Sequence, residues 1–422
     1  MEKMMQTLIT FILVFGVIVI VHEFGHFYFA KKSGVRVREF AIGMGPKLFQ
    51  TQRNGTTYTL RILPVGGYVR MASRAEAEEN PLQPGMTVML GVVDGVVEKI
   101  NLAEQVEIIG GRAFTVNDFD LVDALFIEGY FENEETLTRL PVDHDASMIE
   151  SDGTELLIAP RDTQFESAKL WQRALINFAG PLNNFLLTIV LFTGVAFAMP
   201  GVTTTTLDEV QSNSPALQAG LKSGDDIKSI DGKKVRSWQD MQTMVQGSSA
   251  ASLKMTYERN SKTQTVTVKP QAKEIQGQKV RQIGVTPELT KAPGARLNYA
   301  WQVTKQSATQ IWRAIIGLFQ SFSLNKLGGP VAIYKNTEQV SSYGLISVIS
   351  FTAMLSINLG MMNLLPIPAL DGGKLLLNLI EAIFRRPISE KVEMTVTIAG
   401  AALLVVLMIA VTGNDLFRYF IK

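Results

Sequence analysis

The chain has 422 residues, of which 46% are hydrophobic, and it contains no cysteine. Its mean hydropathy is +0.16, which is more apolar than most soluble proteins. The lack of cysteine excludes disulfides and any thiolate nucleophile or metal ligand. The formal net charge of +1 hides an uneven distribution of charges, so the net charge indicates no particular partner. We expect no nucleic-acid partner.

Several apolar runs are long enough, at about 18 residues or more, to cross a bilayer. Three clear runs lie within residues 1–30, 175–200 and 343–373, and a fourth lies within 394–412. A signal peptide is the alternative for the first run, because Lys3 precedes it. That run, however, exceeds the usual apolar core of about 7 to 15 residues and lacks a small-residue cleavage site. The sequence therefore predicts a polytopic α-helical membrane protein with about four transmembrane helices.

Basic residues at the ends of these runs predict the orientation of the helices. Three clusters fall on one side, which is predicted to be cytoplasmic: Lys31, Lys32, Arg36 and Arg38 after the first run, Lys169 and Arg173 before the second, and Arg385, Arg386 and Lys391 between the last two. Both termini and the segment from about 200 to 342 are then predicted to be extracellular.

Two β-rich segments separate the first two helices. In residues 36–73, β-branched and aromatic residues alternate with polar ones, with breaks at Asn54-Gly55 and Gly66-Gly67, which predicts a small antiparallel sheet. Residues 74–168 form an acidic insertion, because positions 74 to 167 contain 21 Asp/Glu against 5 Lys/Arg. We expect this insertion to be a cytoplasmic, soluble, β-rich module.

The exterior segment begins with a recognisable module. The string "SPALQAGLKSGDDIKSIDGKKVRSWQDM" in residues 201–285 resembles the PDZ domains attached to bacterial proteases. The resemblance implies a domain that binds a peptide or a substrate tail by adding a strand to a sheet edge. Residues 296–322 then carry apolar residues at helical spacing, which predicts an amphipathic helix at the membrane surface. Packing of this helix on the PDZ module is the alternative.

The motif H-E-x-x-H occurs as HEFGH at residues 22–26, inside the first apolar run. Residues four apart share a helix face, so His22 and His26 can reach one zinc ion while Glu23 stands beside the open coordination position. Polar contacts between helices are the alternative. An ionised acid at the centre of a membrane helix costs about 2.5 kcal/mol or more without a partner, and a metal supplies one. The third histidine, His144, is interpreted as a solvated loop residue.

A catalytic zinc site has three protein ligands and a water, so a third ligand is needed. Glu39 is the only nearby candidate, and it lies in the predicted sheet. Asp371 is favoured, because Pro366 and Pro368 break the helix before it. Irregular backbone at membrane depth is tolerated only where protein or a water-filled cavity surrounds it.

Four other residues near these motifs have open interpretations. Gly372 and Gly373 are expected to let the backbone approach the metal. For Gly180 and Asn184 in "FAGPLNNF", a role at the site and simple packing between helices have about equal weight.

HEFGH combined with N-x-x-P-x-P-x-L-D-G-G at residues 363–373 resembles the site-two protease family of intramembrane zinc proteases, and most closely the bacterial RseP/RasP/Eep branch. The likeness continues through "REFAIGMGPKL", "YTLRILPVGGYVRM" and "WQRALINFAGPLNNF". It implies that His22, His26 and Asp371 bind Zn²⁺, that Glu23 is the catalytic acid/base and that Asn363 holds the substrate backbone. It also implies that the sheet of residues 36–73 dips into the membrane and pairs with the substrate.

The function predicted in this way is regulated intramembrane proteolysis in the plasma membrane of a bacterium. The implied substrates are single-pass membrane proteins such as anti-sigma factors, remnant signal peptides or pheromone precursors. A catalytically silent scaffold that presents its PDZ module is one alternative. A zinc transporter is another, and it is disfavoured because Glu23 and a peptide-binding module have no evident role there.

Overall fold

The computed structural model describes residues 2–78, 81–103, 108–151, 153–275 and 278–421. The helices are α1 (Glu2–Lys32), α2 (Arg74–Glu78), α3 (Leu170–Ala198), α4 (Pro215–Gln218), α5 (Trp238–Gly247), α6 (Pro293–Gln320), α7 (Pro330–Ser341), α8 (Leu345–Asn363), α9 (Asp371–Phe384) and α10 (Glu390–Leu416).

The strands of the first half are β1 (Val37–Arg53), β2 (Thr56–Met71), β3 (Thr87–Val93), β4 (Val96–Asn101), β5 (Arg112–Asp120), β6 (Phe126–Phe131), β7 (Thr138–Ile149) and β8 (Glu155–Leu157). Those of the second half are β9 (Val202–Val210), β10 (Asp226–Ile230), β11 (Lys233–Lys234), β12 (Leu253–Arg259), β13 (Lys262–Val268), β14 (Gln271–Ile275), β15 (Gln278–Gln282) and β16 (Val285–Thr290). The chain divides into one compact unit of residues 1–186, 322–342 and 358–422 and another of residues 187–321 and 343–357.

Among the described residues, four helical segments are long and apolar enough to cross a membrane: residues 3–32, 170–198, 345–363 and 391–419. They belong to α1, α3, α8 and α10. Most of their large side chains remain exposed, as those of a helix surrounded by lipid would be.

β1 and β2 form a sheet of four rows because each strand folds back on itself. Residues 39–42 pair with 57–60 on one side and with 67–70 on the other, and residues 47–53 pair with 56–61. Asn54 and Gly55 connect β1 to β2 with φ values of 51° and 68°, as a type I′ turn requires. The row formed by residues 67–71 lies at one edge of this sheet, and β2 packs against α1.

The acidic insertion folds into a small barrel. Its strands follow the order β4-β3-β5-β6-β7-β8, and β4 also pairs with β7 in parallel, so that five strands close into a ring. Phe114, Leu90, Ile100 and Ile127 fill the interior and are completely buried. The acidic side chains can then remain in water outside this core, which is compatible with the high acidic content of the segment.

In the second unit, the sheet follows the order β13-β12-β10-β9-β16, with β11 beside β10. Ser237 caps α5 by accepting a hydrogen bond from the Asp240 amide at 3.1 Å. Asp225 is fully buried and accepts two hydrogen bonds from Arg259, at 2.6 and 2.7 Å. This sheet continues to Thr290, past the predicted domain end at residue 285.

α6 has two different faces. Its small residues Ala300, Thr304 and Ser307 are buried, and Ala300 packs with Phe192 of α3 and Ala353 of α8. The large side chains Leu297, Trp301, Trp312 and Phe319 are exposed. The helix also lines a cleft with α5, so it packs on the PDZ-like module and still carries an exposed apolar face.

Two expectations need correction, and two helices were missed. The third predicted span, 343–373, is two helices, because α8 ends at Asn363 and α9 begins at Asp371. α7 and α9 were not predicted, although Pro330 and Asp371 at their first positions are typical helix starts. His144 lies in β7 rather than in a loop. Its Nδ1 and Nε2 atoms form hydrogen bonds of 3.1 Å with the carboxylates of Asp145 and Asp162, respectively.

The pKa of His144 provides a test of this local fold. The hydrogen bond to Asp162 raises that pKa above its ordinary value, and Asp145 contributes in the same direction. Because the raised pKa favours the charged imidazole in the folded state, the interaction contributes fully below the unfolded-state pKa of about 6.5. It is lost as pH rises through the higher folded-state pKa. We expect about 0.2–1 kcal/mol, since all three side chains are largely exposed.

NMR titration of histidine-labelled protein would measure this pKa, because the chain has 3 histidines. Asp162→Asn should lower the pKa of His144 toward its ordinary value, and Glu135→Gln, an exposed charge removal in the same module, should leave it unchanged. An unaltered His144 titration in Asp162→Asn would contradict the assigned contact.

Candidate metal centre

α1 brings its two histidines to one buried face. His22 and His26 are 7% and 8% exposed, and their Nε2 atoms lie 3.3 Å apart. The Nδ1 atom of His26 lies 2.8 Å from the carbonyl oxygen of Ile176, to which it can only donate a proton. Neutral His26 must therefore carry a lone pair on Nε2, as a metal ligand does.

A residue of α3 holds the other histidine. The side-chain amide of Asn184, which is fully buried, lies 3.1 Å from Nδ1 of His22. The amide oxygen and nitrogen of asparagine are assigned from hydrogen-bond partners, so Asn184 can accept a proton from His22 Nδ1 when Nε2 is needed as a ligand. Ile176 and Asn184 thus orient the two rings from the same helix.

Asp371 completes a triangle of donor atoms. Its Oδ2 lies 3.2 Å from His22 Nε2 and 3.4 Å from His26 Nε2, and it has no hydrogen-bond partner among the described residues. A tetrahedral zinc ion with ligands at about 2.0–2.1 Å separates those ligands by about 3.3–3.4 Å. The three atoms therefore fit three corners of a zinc site, with the fourth corner left for water or substrate.

Gly180 provides the space that such an ion needs. A Cβ atom at this position would lie 2.2 Å from His26 Nε2 and 2.8 Å from His22 Nε2. On α1, Gly25 allows a similar close approach, since its Cβ would lie 2.4 Å from the Ala179 carbonyl oxygen. Two glycines facing each other's helix thus let α1 and α3 meet at the metal centre.

A tight connection between α8 and α9 positions Asp371. Ala369 has φ of +76°, a conformation that costs about 1–3 kcal/mol for a residue with a side chain. A Cβ on Gly372 would lie 2.3 Å from the Leu365 carbonyl oxygen, and one on Gly373 would lie 2.4 Å from that of Ile367. These glycines were expected to let the backbone approach the metal, and the structure shows that they allow the connecting loop to fold onto the first turn of α9.

Glu23 contacts the sheet. It is partly buried on α1, and a Cβ atom on Gly67 would lie 3.0 Å from its Cγ. Glu23 also lies within electrostatic range of both histidines, of Asp371 and of Lys374. The absence of a side chain at Gly67 therefore lets the edge row 67–71 reach the carboxylate.

The two remaining candidates are placed differently. Asn363 is the last residue of α8 and is partly buried. Glu39 is bound elsewhere, since it accepts hydrogen bonds from Arg61 at 3.0 Å and from Tyr68 at 2.8 Å inside the sheet. Glu39 is thus not the third ligand.

Sequence reasoning missed two members of the site. The Ile176 carbonyl carries no side-chain signal at all, so only the structure could reveal it. Lys374 could have been noticed, because it follows Asp371 by three residues and therefore shares its face of α9.

Comparison with known proteins identifies the family of the chain. Residues 10–407 match Peptidase family M50, the site-2 protease family, so the chain belongs to that family. It is a membrane-embedded zinc metalloendopeptidase.

Two relatives align along almost the whole chain. A protein of Enterococcus faecalis named protease eep is 49% identical over 99% of this chain and 100% of that protein. A protein of Streptococcus pyogenes serotype M3, named as a zinc metalloprotease, is 47% identical over 99% of this chain and 100% of that protein.

Among solved structures, the PDZ domain of an SdrC-like protein from Listeria monocytogenes is 26% identical over 21% of this chain and 88% of that chain. Its TM-score is 0.17, too low to support a conclusion about fold.

Gly180→Ala should abolish zinc binding, because the added methyl group would occupy the space beside both Nε2 atoms. Metal analysis of the purified protein would measure this. Gly194→Ala is a matched control on the same helix, since nothing lies within 4 Å of its Cβ position and alanine favours helix by about 1 kcal/mol. Full zinc content in Gly180→Ala would contradict the assigned metal position.

Proposed function

We propose that this metalloendopeptidase cuts the transmembrane segments of single-pass membrane proteins, such as anti-sigma factors, remnant signal peptides or pheromone precursors. His22, His26 and Asp371 hold the zinc ion, and Glu23 is the acid/base. One observation carries the proposal: two imidazole nitrogens and a carboxylate oxygen converge at 3.2–3.4 Å, and both imidazoles belong to a helix apolar enough to cross a membrane.

The proposed depth of the site follows from α1. Lys32, the last residue of α1, is six residues beyond His26. At about 1.5 Å per residue this separation is about 9 Å, so the metal centre lies near the predicted cytoplasmic face. Water is available from that side, while both termini and the PDZ-like module are proposed to be extracellular.

The proposed reaction is hydrolysis of a peptide bond. Zinc, when bound, polarises the scissile carbonyl and lowers the pKa of its water toward about 7. Glu23 takes a proton from the attacking water as the C–O bond forms. It then passes that proton to the amide nitrogen as the C–N bond breaks. Asn363 is proposed to hold the substrate backbone by a hydrogen bond.

A substrate helix must unwind before this reaction, because its carbonyls are hydrogen-bonded within the helix. The edge row 67–71 could hold the unwound segment by strand pairing. The contact of Gly67 with Glu23 supports this arrangement, since a strand added to that edge would pass the catalytic carboxylate.

The second unit offers a proposed site for a peptide or a substrate tail. β16 is an edge strand, and a groove lies between α5 and residues 280–285, lined by Trp238, Met241, Val245 and Ile283.

We further propose that the exposed Trp301 and Trp312 of α6 lie at the membrane surface.

Glu23→Gln should abolish cleavage of a co-expressed single-pass substrate and leave bound zinc unchanged. Glutamine keeps the shape of the side chain but cannot take the proton from water. Immunoblotting of the substrate and metal analysis of the purified variant measure the two outcomes. Glu135→Gln, which removes an exposed carboxylate from the acidic insertion, should retain cleavage. Intact processing by Glu23→Gln would refute the protease mechanism.

Strand pairing can be tested by disulfide cross-linking, because the chain contains no natural cysteine. Cysteine at the exposed Arg70 of the edge row, introduced with Glu23→Gln to retain substrate, should cross-link to alternate positions of a substrate segment. Cysteine at Arg53, in the opposite edge row of the same sheet, is the matched control. Equal yields at both positions would contradict pairing at the 67–71 edge.

The proposed peptide groove beside α5 can be tested in the same way, with cysteine introduced at Gln242.

A further inference from the structure

A cavity of about 640 Å³ lies along α9 within the first unit. It is bounded by the first turns of α3, one face of α9, residues 387–389 and the start of α10. Its volume is in the range of pockets that bind small molecules, about 300–1,000 Å³. The proposed proteolytic reaction assigns no role to it.

The cavity presents several donors that lack acceptors. The Nδ2 atom of Asn378 is buried without a hydrogen-bond partner among the described residues, and so is Nε of Arg173. Lys374 and Lys391 also line the cavity, and neither makes an ion pair with a described residue. Because ammonium, guanidinium and amide N–H groups can only donate, an anion with several oxygen atoms would satisfy them together.

Acidic side chains at the cavity do not cancel these donors. Glu381 is held by Arg173, with 2.6 Å between Oε1 and Nη2, and Glu166 accepts a hydrogen bond from the Arg74 amide at 3.0 Å. Glu393 also lines the cavity. The lining therefore contains four basic and three acidic side chains: Arg74, Arg173, Lys374 and Lys391 against Glu166, Glu381 and Glu393.

The position of the cavity indicates the source of the anion. Arg173 and Lys391 lie in the first turns of α3 and α10, both of which are long and apolar enough to cross a membrane. Under the proposed topology, these turns lie at the cytoplasmic surface of the bilayer, where lipid phosphates are concentrated. Basic pockets between membrane helices on this side are typical sites for anionic lipid head groups.

The same face of α9 joins the cavity to the metal centre. Asp371, Lys374, Asn378 and Glu381 follow one another at intervals of three or four residues, so they share one side of the helix. A ligand held by Lys374 and Asn378 would therefore restrain the helix whose first residue is the third proposed metal ligand.

We infer that this cavity binds the phosphate head group of an anionic phospholipid. Lys374, Lys391 and Arg173 contact the phosphate oxygens, and Asn378 donates from Nδ2. The bound head group fixes α9 against α3 and α10. The inference uses the proposed membrane topology, but it does not depend on the identity of the substrate or on Glu23.

The test uses the purified full-length protein in a neutral detergent, titrated with dioctanoyl phosphatidylglycerol. Dioctanoyl phosphatidylcholine provides the same acyl chains without net charge, and glycerol 3-phosphate provides a soluble phosphate without acyl chains. Lys391→Gln and Asn378→Leu each remove one donor from the cavity. Arg386→Gln is the matched control, because it removes an exposed neighbouring cation that does not line the cavity.

We expect phosphatidylglycerol to bind and to raise the melting temperature, whereas phosphatidylcholine should do neither. Lys391→Gln should weaken binding about tenfold or more, as is typical when a charged hydrogen bond is lost. Lys391→Arg should restore most of the affinity, and Arg386→Gln should bind like the original protein. This readout does not involve cleavage, so its failure is distinct from failure of the protease proposal.

Three results would overturn the inference. Equal binding of the two lipids would show that head-group charge is not recognised, and unchanged affinity in both cavity variants would place the lipid elsewhere. Binding of an acidic peptide from a substrate flank, without binding of phosphatidylglycerol, would assign the cavity to substrate instead. Binding of glycerol 3-phosphate with equal affinity, lost in Lys391→Gln, would support the phosphate site but identify a soluble ligand as its source.

Discussion

The close approach of three potential ligand atoms is the constraint on which this structure depends. Two imidazole nitrogens and a carboxylate oxygen lie within 3.4 Å of one another, in a part of the chain that has little water to screen them. Without a cation, such an arrangement would relax by protonation or by separation of the helices. Each nearby feature opposes that relaxation: the Ile176 carbonyl and Asn184 fix the rings, and the loop before α9 fixes the carboxylate.

α1 combines three tasks. It is long and apolar enough to cross the membrane, it supplies two donors, and it supports the sheet at Gly67. These tasks are compatible because they use different faces of one helix. The structure is therefore intolerant of side chains at a few glycines: Gly25, Gly67 and Gly180 all lie where α1 meets another element.

The sequence predicts those parts of the fold that depend on local patterns. Four apolar runs, the HEFGH spacing and the Asn54-Gly55 turn are each determined by residues close together in the chain. Other parts depend on contacts between distant segments. The parallel pairing of β4 with β7 closes the barrel, and it could not be predicted from either strand alone. The contacts of Gly372 and Gly373 could not be predicted, because a glycine does not reveal what lies against it, and the backbone that approaches them belongs to residues 364–367. Asp371 was favoured because Pro366 and Pro368 break the helix before it, and the family resemblance assigned it to the metal, since no spacing rule connects it to residues so far away in the chain.

The proposed donor set also determines which ions would compete for the site. Two imidazoles and one carboxylate suit borderline and moderately hard divalent ions, and the chain has no thiolate that would favour soft monovalent copper. Among divalent ions, intrinsic affinity generally increases along the first transition series to copper, so ligand chemistry alone would not select zinc. The identity of the bound metal in a cell is thus decided in large part by which ions are freely available when the helices assemble. A lack of sulfur ligands has a second effect, because oxidants that convert thiolates to disulfides or sulfenic acids have no target in this centre. The enzyme would therefore respond to metal supply while remaining insensitive to changes in thiol redox balance.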